Sequence, residues 1–337
     1  MEQRIGTTRL GDGTEIAYAL AGSGPPLVYV SGWLTHLELG WAIPAERGFY
    51  ESLARGRTLV RYDKPGCGLS GRTSRPYSID LESEALDAVV STLGPTAFDL
   101  VGTSLGAVVA ARWAADNPDR VRRLTLYGGW LDGAAVADPE VRKHVLGLVE
   151  QHWGLGSDVL ADIFAPDADP SVRSAFVRYQ REAATPELAR DMLATTYGVD
   201  ITEAAGRIRA PSLVLHRDRD RAAPVAQGRA LADAIPGAQW RVLAGRSHLP
   251  YVGDADALSR AIREFLGLPA LRRSVLPTLT ARQREVAALI AEGKTNREIA
   301  VRLSITERSA ESHVERIRDR MGFRSRAQIA AWHVASG

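Results

Sequence analysis

FDLVGTSLGAVVAARWAAD, residues 98–116, runs from a short apolar strand through Gly102-Thr103-Ser104-Leu105-Gly106 into a strong helix former. The Gly-x-Ser-x-Gly pentad is a weak signal by itself. Set between a buried strand and a helix, it has the context that a sharp strand-to-helix turn requires. Such a turn lifts the serine oxygen above a sheet, and small flanking residues prevent collision. Ser104 is therefore a candidate nucleophile. A serine hydroxyl attacks poorly until a base takes its proton, and an acid must orient that base.

On either side of this stretch, short apolar runs rich in β-branched residues alternate with helical segments: LVYV at 27–30, TLVRY at 58–62, LTLYG at 124–128 and LVLH at 213–216. Runs buried on both faces and separated by helices predict a mostly parallel sheet in an α/β domain. Ahead of them, TTRLGDGTEIAYAL alternates on both sides of Asp12-Gly13, the signature of a hairpin that adds an antiparallel edge. From about 132 to 208 the pattern turns wholly helical before Pro211 introduces the next strand. An all-helical insertion between two strands is expected to cap the strands' C-terminal ends, where open α/β sheets place their ligands.

Asp220, in HRDRDRAAP after LVLH, and His248, in AGRSHLPYVGD after QWRVL, supply an acid and a base in the order that follows such a serine. With these residues the first 268 positions resemble the α/β-hydrolase family. The resemblance implies an α/β-hydrolase fold with a helical cap and a catalytic triad of Ser104, Asp220 and His248. Asp218, in the same charged loop, is the alternative acid. The resemblance also implies an oxyanion hole formed by the backbone N–H groups of Leu105 and Trp33, although Ser31-Gly32 replaces the family's usual His-Gly. Asp63, in YDKPGCGLSGR, matches a loop motif and is read as shaping that loop. Trp33, Trp130 and Trp153 are candidates for lining a ligand pocket, which would favour an apolar or cyclic ligand. The other histidines, His36, His144, His152, His216 and His333, are expected to be structural or exposed.

Composition bounds these readings. The chain has 337 residues, enough for two domains, and its 45% hydrophobic and 24% charged residues are those of a folded globular protein. One cysteine, Cys67, excludes an internal disulfide and a cysteine-rich zinc site. No metal and no cofactor are expected. The N-terminal segment lacks a basic stretch followed by an apolar run, and no stretch is long and apolar enough to span a bilayer, so the cytoplasm is the expected compartment. The net charge of +2 is unevenly placed: from Ser274 onward eleven Lys and Arg face seven Asp and Glu, which leaves −2 for everything before. A near-neutral body with a basic end is the outline of a chain whose end meets a polyanion.

That end, after a linker expected at 269–276, breaks into four helical segments. Thr280 with Gln283, Thr295 with Glu298 and Ser325 with Gln328 form capping-box patterns, and Thr306 begins another helix with Ser309 in the corresponding place. Val286, Leu289, Ile290, Ile299, Leu303, Val314, Ile317, Ile329 and Trp332 are the predicted core. Gly293 and Ser304-Ile305 supply tight turns, making the second and third helices a helix-turn-helix. The run from LTARQREV to AQIAAW closely resembles the LuxR-type DNA-binding domain over about 55 residues, here placed within 277–337. Residue by residue, the resemblance puts Glu311, Ser312 and Glu315 against base edges in the major groove. It puts Lys294, Thr295, Asn296, Arg308, Ser309, His313 and Arg316 near phosphates. Ser309-Ala310 departs from the common Thr-Val pair and trims packing.

The sequence thus implies a DNA-binding transcriptional regulator, expected to act as a homodimer on paired half-sites, whose hydrolase-type domain senses a small molecule. The alternative is an active serine hydrolase for an ester, lactone or thioester, its turnover coupled to DNA binding.

Overall fold

The computed structural model describes residues 1–94, 96–271, 279–321, 323 and 325–336, and the chain divides into two compact units, Met1–Ala270 and Leu271–Gly337. The expected linker falls, from 272 onward, outside the described residues.

In the first unit, β1 (Gln3–Arg9) and β2 (Glu15–Gly22) form the hairpin about Asp12-Gly13. Gly13 holds a positive φ of 87°, the conformation glycine adopts without steric cost. Behind them come β3 (Pro26–Val30), β4 (Thr58–Tyr62), β5 (Phe98–Thr103), β6 (Val121–Tyr127), β7 (Ser212–Arg217) and β8 (Gln239–Leu243). They make one eight-stranded sheet in the order β1-β2-β4-β3-β5-β6-β7-β8. β2 meets β4 antiparallel, and every pairing from β4 through β8 is parallel. β5 and β7 are buried along their whole length, which explains their unbroken apolar reading: helices cover both faces.

The covering helices are α1 (Leu37–Ala42), α2 (Pro44–Ala54), α3 (Ile79–Leu93) and α4 (Leu105–Asp116). After β6 follow α5 (Pro139–Gln151), α6 (Trp153–Phe164), α7 (Pro170–Ala183), α8 (Pro186–Gly198) and α9 (Thr202–Arg207). After β7 come α10 (Val225–Ala234) and α11 (Ala255–Phe265). Pro139, Pro170 and Pro186 each open a helix at its first turn, where a missing N–H costs nothing and the ring presets φ. The helical stretch expected as one cap divides. α5 packs on α6 and α8, and α6 on α7, whereas α9 packs against α4 and α10 and so belongs to the layer beside the sheet. A helical pattern shows that a helix forms and which side is apolar; the partner of that side is set by the fold.

The second unit contains α12 (Ala281–Ala291), α13 (Asn296–Leu303), α14 (Glu307–Met321) and α15 (Arg326–Ser336). Both full capping boxes form, at Thr280 with Gln283 and at Thr295 with Glu298. Ser309 N–H donates to Thr306 Oγ1 at 3.1 Å, and Ser325 and Gln328 exchange bonds at 3.2 and 3.4 Å. Ser304 closes α13 at φ 53°, producing the turn of the helix-turn-helix. The core is built on Val286, Leu289, Ile290, Ile299, Ala310, Val314, Ile317 and Ile329, with Leu303 and Trp332 packed partly buried at its edge. Among the described residues no helix is long and apolar enough to cross a membrane.

Candidate active site and nucleic-acid interface

Ser104 stands between β5 and α4 at φ 55° and ψ −128°, one of two described non-glycine residues with a positive φ. Its neighbours explain the two glycines. A Cβ on Gly102 would come within 2.4 Å of the Gly106 carbonyl, and one on Gly106 within 2.2 Å of the Val30 and Ser31 carbonyls. Only hydrogen fits where the elbow crosses β3. Tyr127 accepts from the Ser104 N–H at 2.8 Å, tying the elbow to the end of β6.

Leu105 opens α4, where N–H groups have no intrahelical carbonyl to reach. The Ser31-Gly32-Trp33 loop lies against the elbow so closely that a Cβ on Gly32 would stand 3.1 Å from Ser104 Cβ. Both residues of the expected oxyanion hole therefore border Ser104, Trp33 from across the cleft and Leu105 from the next position in the chain.

His248 Nδ1 and Asp220 Oδ2 are 2.7 Å apart. Asp220 Oδ1 accepts from the N–H groups of Ala222 and Ala223, at 2.9 and 3.2 Å. Burial pushes the Asp220 carboxyl up, but the His248 ring beside it, then His216 and the Ala222 N–H, outweigh burial and hold it below the usual carboxylate range. Asp218, the alternative acid, instead accepts from Gly245 N–H at 2.8 Å and is half exposed. Two positions along the same turn separate these aspartates, and the turn sends only one toward His248.

Three functional neighbours had little signal in the sequence. His216 is fully buried with Nε2 3.6 Å from Asp220 Oδ2 and 2.9 Å from the Ala223 carbonyl; burial holds its pKa below the usual imidazole value. Gly128, at φ 63°, lets the His248 ring lie where a Cβ would come within 3.0 Å of it. Phe164, at the end of α6, accepts at its carbonyl from the His248 N–H at 2.7 Å, and its ring lies 5.8 Å from the imidazole. The histidine loop is thus fastened to the cap.

Two cavities meet at Ser104, Trp33, Phe164 and His248. The first, of about 60 Å³, is lined by aromatic and polar residues including Tyr29, Glu46 and Gln180. The second, of about 110 Å³, is lined by aliphatic cap residues including Val141, Leu160 and Leu193, by Trp130, and by Thr196 and Arg221. Trp33 lines both and donates its indole N–H to the Ala189 carbonyl at 3.2 Å. Trp153 lines neither: its ring stands edge-on behind Trp33, at 5.9 Å. Helical spacing places it on the buried side of α6, but one layer too far from the cleft.

Asp63 receives the N–H groups of Leu37 and Leu69 on Oδ2, at 3.1 and 2.8 Å, and so braces the loop after β4. Burial pushes its carboxyl up to about 6. Cys67 in that loop is fully buried, and burial pushes its thiol up to about 12, which makes it inert.

In the second unit Arg308, Glu311, Glu315 and Arg316 are exposed along α14, and Ser309, Ser312 and His313 are half-buried on the same helix. Lys294, Thr295 and Asn296 stand at the start of α13. The candidate DNA-facing residues therefore occupy the two helices of the helix-turn-helix. Arg326, which sequence reasoning passed over, donates to Asn296 Oδ1 at 2.6 Å and to the Lys294 carbonyl, pinning α15 to that start.

Residues 25–255 match the alpha/beta hydrolase fold family, and residues 277–333 match the luxR family of bacterial regulatory proteins. A pyrrolizixenacetamide deacetylase of Xenorhabdus hominickii is 27% identical over 77% of this chain and 96% of its own length. A pimeloyl-[acyl-carrier protein] methyl ester esterase of Xanthomonas oryzae is 29% identical over 73% of this chain and 96% of its own. The crystal structure of the enol-lactonase from Burkholderia xenovorans superposes with a TM-score of 0.64 at 26% identity, covering 78% of this chain and all of that one.

Proposed function

Because the chain belongs to the alpha/beta hydrolase fold family and carries a luxR-family DNA-binding domain, we propose that it is a transcriptional regulator whose hydrolase domain binds a small molecule beneath the cap, at Ser104. The observation that carries this reading is the pairing, in one chain, of a helix-turn-helix with a cleft lined by Ser104 and by His248, whose ring is paired with Asp220. α14 reads base edges through Glu311, Ser312 and Glu315, while Lys294, Thr295, Asn296, Arg308, Ser309, His313 and Arg316 approach phosphates. The protein acts as a homodimer on paired half-sites. A ligand biases DNA binding by favouring one arrangement of the DNA-reading domains over another.

A second reading, in which the ligand is also cleaved, is favoured by the backbone of Ser104. Holding a serine at φ 55° and ψ −128° costs on the order of 1–3 kcal/mol, and such strain survives where surrounding structure enforces it at a working site. Turnover would begin as His248 Nε2 takes the Ser104 hydroxyl proton while Oγ attacks the carbonyl carbon of an ester, lactone or thioester. The oxyanion would accept from Leu105 and Trp33 N–H groups. His248 then returns the proton to the departing alcohol or thiol, leaving an acyl group on Ser104. Water repeats the sequence, giving the acid and the free serine. Deacetylase, esterase and lactonase names among the similar proteins support this reaction class without choosing a substrate.

Hydrolysis of p-nitrophenyl butyrate by the full chain, reduced on the order of 10⁶-fold in Ser104→Ala, is the expected result for turnover; a parent protein with no activity leaves sensing alone. The regulatory reading predicts salt-sensitive retardation of the protein's own promoter fragment. Arg308→Ala with Arg316→Ala should lower the salt slope by about 1 for each phosphate that is no longer neutralised. Unchanged retention in the triple variant that adds Glu311→Ala refutes the placement of the reading helix.

A further inference from the structure

The loops on both sides of Ser104 are bonded to the cap. In α7, Phe176, Tyr179, Gln180 and Ala183 recur at i, i+3, i+4 and i+7, and all four are buried on one face. Tyr179 ends in a hydroxyl that reaches the segment after β3. It donates to the Leu34 carbonyl at 3.0 Å and accepts from the His36 N–H at 3.1 Å. One side-chain oxygen thus bridges two main-chain groups two residues apart. Trp33, the residue before them, is held from the cap as well, through its indole N–H on the Ala189 carbonyl. On the body side, Thr35 Oγ1 accepts from the Lys64 N–H at 2.8 Å.

The histidine loop is bonded to the neighbouring cap helix. The Phe164 carbonyl, which accepts from the His248 N–H, also accepts from that of Leu249, at 3.2 Å. Three residues on, Asp167 accepts from the Ser247 hydroxyl at 3.2 Å and pairs with Arg246. α6 and α7 are in turn locked together. Gln180 Nε2 donates to the Ser157 carbonyl at 2.9 Å, Arg181 Nε donates to the Ser157 hydroxyl at 2.7 Å, and Arg173 pairs with Asp158 and Asp162. Phe164 and Phe176 meet edge to face at 6.3 Å. A bonded helix pair therefore reaches from the Trp33 segment to the His248 segment, and side-chain hydrogen bonds satisfied in this way favour a single arrangement. Phe164, Phe176 and Tyr179 also line the smaller cavity, so a ligand filling it touches the pair.

We propose that α6 and α7 form a positioning clamp for chemistry at Ser104, in which the Tyr179 hydroxyl holds the Trp33 N–H of the oxyanion hole at a fixed separation from His248. This rests on the turnover reading above and adds a residue outside the triad and the oxyanion hole. Tyr179 is a positioning residue: it acts through Leu34 and His36 and exchanges no proton with the ligand. An oxyanion gains most from a donor already in place, and a donor that drifts must be reoriented as the charge develops. Binding of the uncharged ester makes no such demand. Tyr179 therefore stabilises the tetrahedral state and leaves the bound ester as it was.

An alkyl trifluoromethyl ketone mimics that state: Ser104 Oγ adds to its carbonyl carbon, the serine proton passes to His248, and the carbonyl oxygen becomes an oxyanion. Calorimetric titration of the full chain with this ketone reads affinity and the number bound per chain separately. Tyr179→Phe keeps the ring and removes the bridging oxygen. It is expected to weaken the adduct roughly 10- to 100-fold, less than the loss of about 10²–10³ when an oxyanion donor itself is removed. kcat for p-nitrophenyl butyrate should fall by a like factor with KM nearly unchanged. A purely structural role would lower the number of ketone molecules bound per chain and not their affinity. Should Tyr179→Phe not fold, Asp167→Ala, at an exposed position, loosens the histidine arm of the same clamp, and a weaker adduct at full stoichiometry is expected there too. Unchanged affinity in the folded variant, a fall in stoichiometry alone, or a loss carried by KM overturns the clamp and leaves the turnover reading intact. If the parent forms the adduct without hydrolysing the ester, adduct affinity alone decides. A parent that does neither removes the turnover reading and this inference together.

Discussion

In the C-terminal unit the candidate DNA-facing residues all lie between Lys294 and Arg316, on two consecutive helices joined by one turn, whereas the cleft of the front unit draws Trp33, Ser104, Asp220 and His248 from four separate strand ends. The small unit is organised by local bonds: Thr280 and Thr295 cap helices three residues away, and Ser304 turns the chain within one residue. The large unit is organised by a sheet whose neighbours β3 and β5 are separated by the whole of β4 and α3. Local organisation tolerates piecemeal damage; a site assembled from distant strands depends on a few close approaches of backbone to backbone.

That contrast is most sharply tested at the elbow. Gly106→Ala forces a Cβ onto the Val30 and Ser31 carbonyls, which are main-chain atoms and cannot swing aside. We expect a loss of roughly 3 kcal/mol or more in the front unit. Six of the seven tryptophans lie in that unit, so the midpoint of denaturation followed by tryptophan fluorescence reads it, and an unshifted midpoint would contradict the packing described.

A smaller effect, dependent on pH, is expected at Asp63. Its carboxyl rises from 3.8 to about 6 on folding because burial disfavours the charge. The folded protein thus holds this proton more tightly than the unfolded chain, so the associated stability is complete below pH 3.8 and is lost as pH rises through about 6. Asp63→Asn cannot ionise. Relative to the parent it should gain roughly 2–3 kcal/mol between those limits, measured as the difference in denaturation midpoints across the range. A difference that stays flat with pH would show that Asp63 titrates normally.

The smallest effect belongs to the local unit. Thr295→Ala removes the hydroxyl that accepts from the Glu298 N–H and donates to Glu298 Oε2, while the backbone N–H served by Glu298 remains, a loss of about 1 kcal/mol. Helicity at 222 nm in the full chain should decline slightly while the front unit's fluorescence transition stays in place; coincident shifts of both would break the contrast between a locally and a remotely organised unit.

Much of the architecture was readable because it rests on near neighbours. Apolar runs bounded by turn residues announced five of the six strands of the parallel part of the sheet, and Gly102 to Gly106 announced the elbow, since two glycines there reflect close approaches that any residue with a Cβ would violate. The four capping pairs announced four helices for the same reason: a hydroxyl and the N–H it serves are only three residues apart. Aromatic residues were less informative. Trp33, Trp130 and Trp153 look alike as sequence, yet of the three only the first two line the cavities beside Ser104, because the depth of a side chain below a cleft depends on how helices cross and not on their own periodicity.

The sequence by itself determined the kinds of elements, their order, the strained serine and the paired helices of the DNA reader, all of which follow from interactions between residues close in the chain. Tertiary structure alone decided that Asp220 and not Asp218 meets His248, and that α9 leaves the cap. It also decided that Phe164 fastens the histidine loop, and that Glu46 and Gln180, from the body and the cap, line one cavity beside Ser104. Those outcomes join positions tens to hundreds of residues apart, and what joins them is the sheet's strand order and the burial it imposes, neither of which any short stretch of sequence contains.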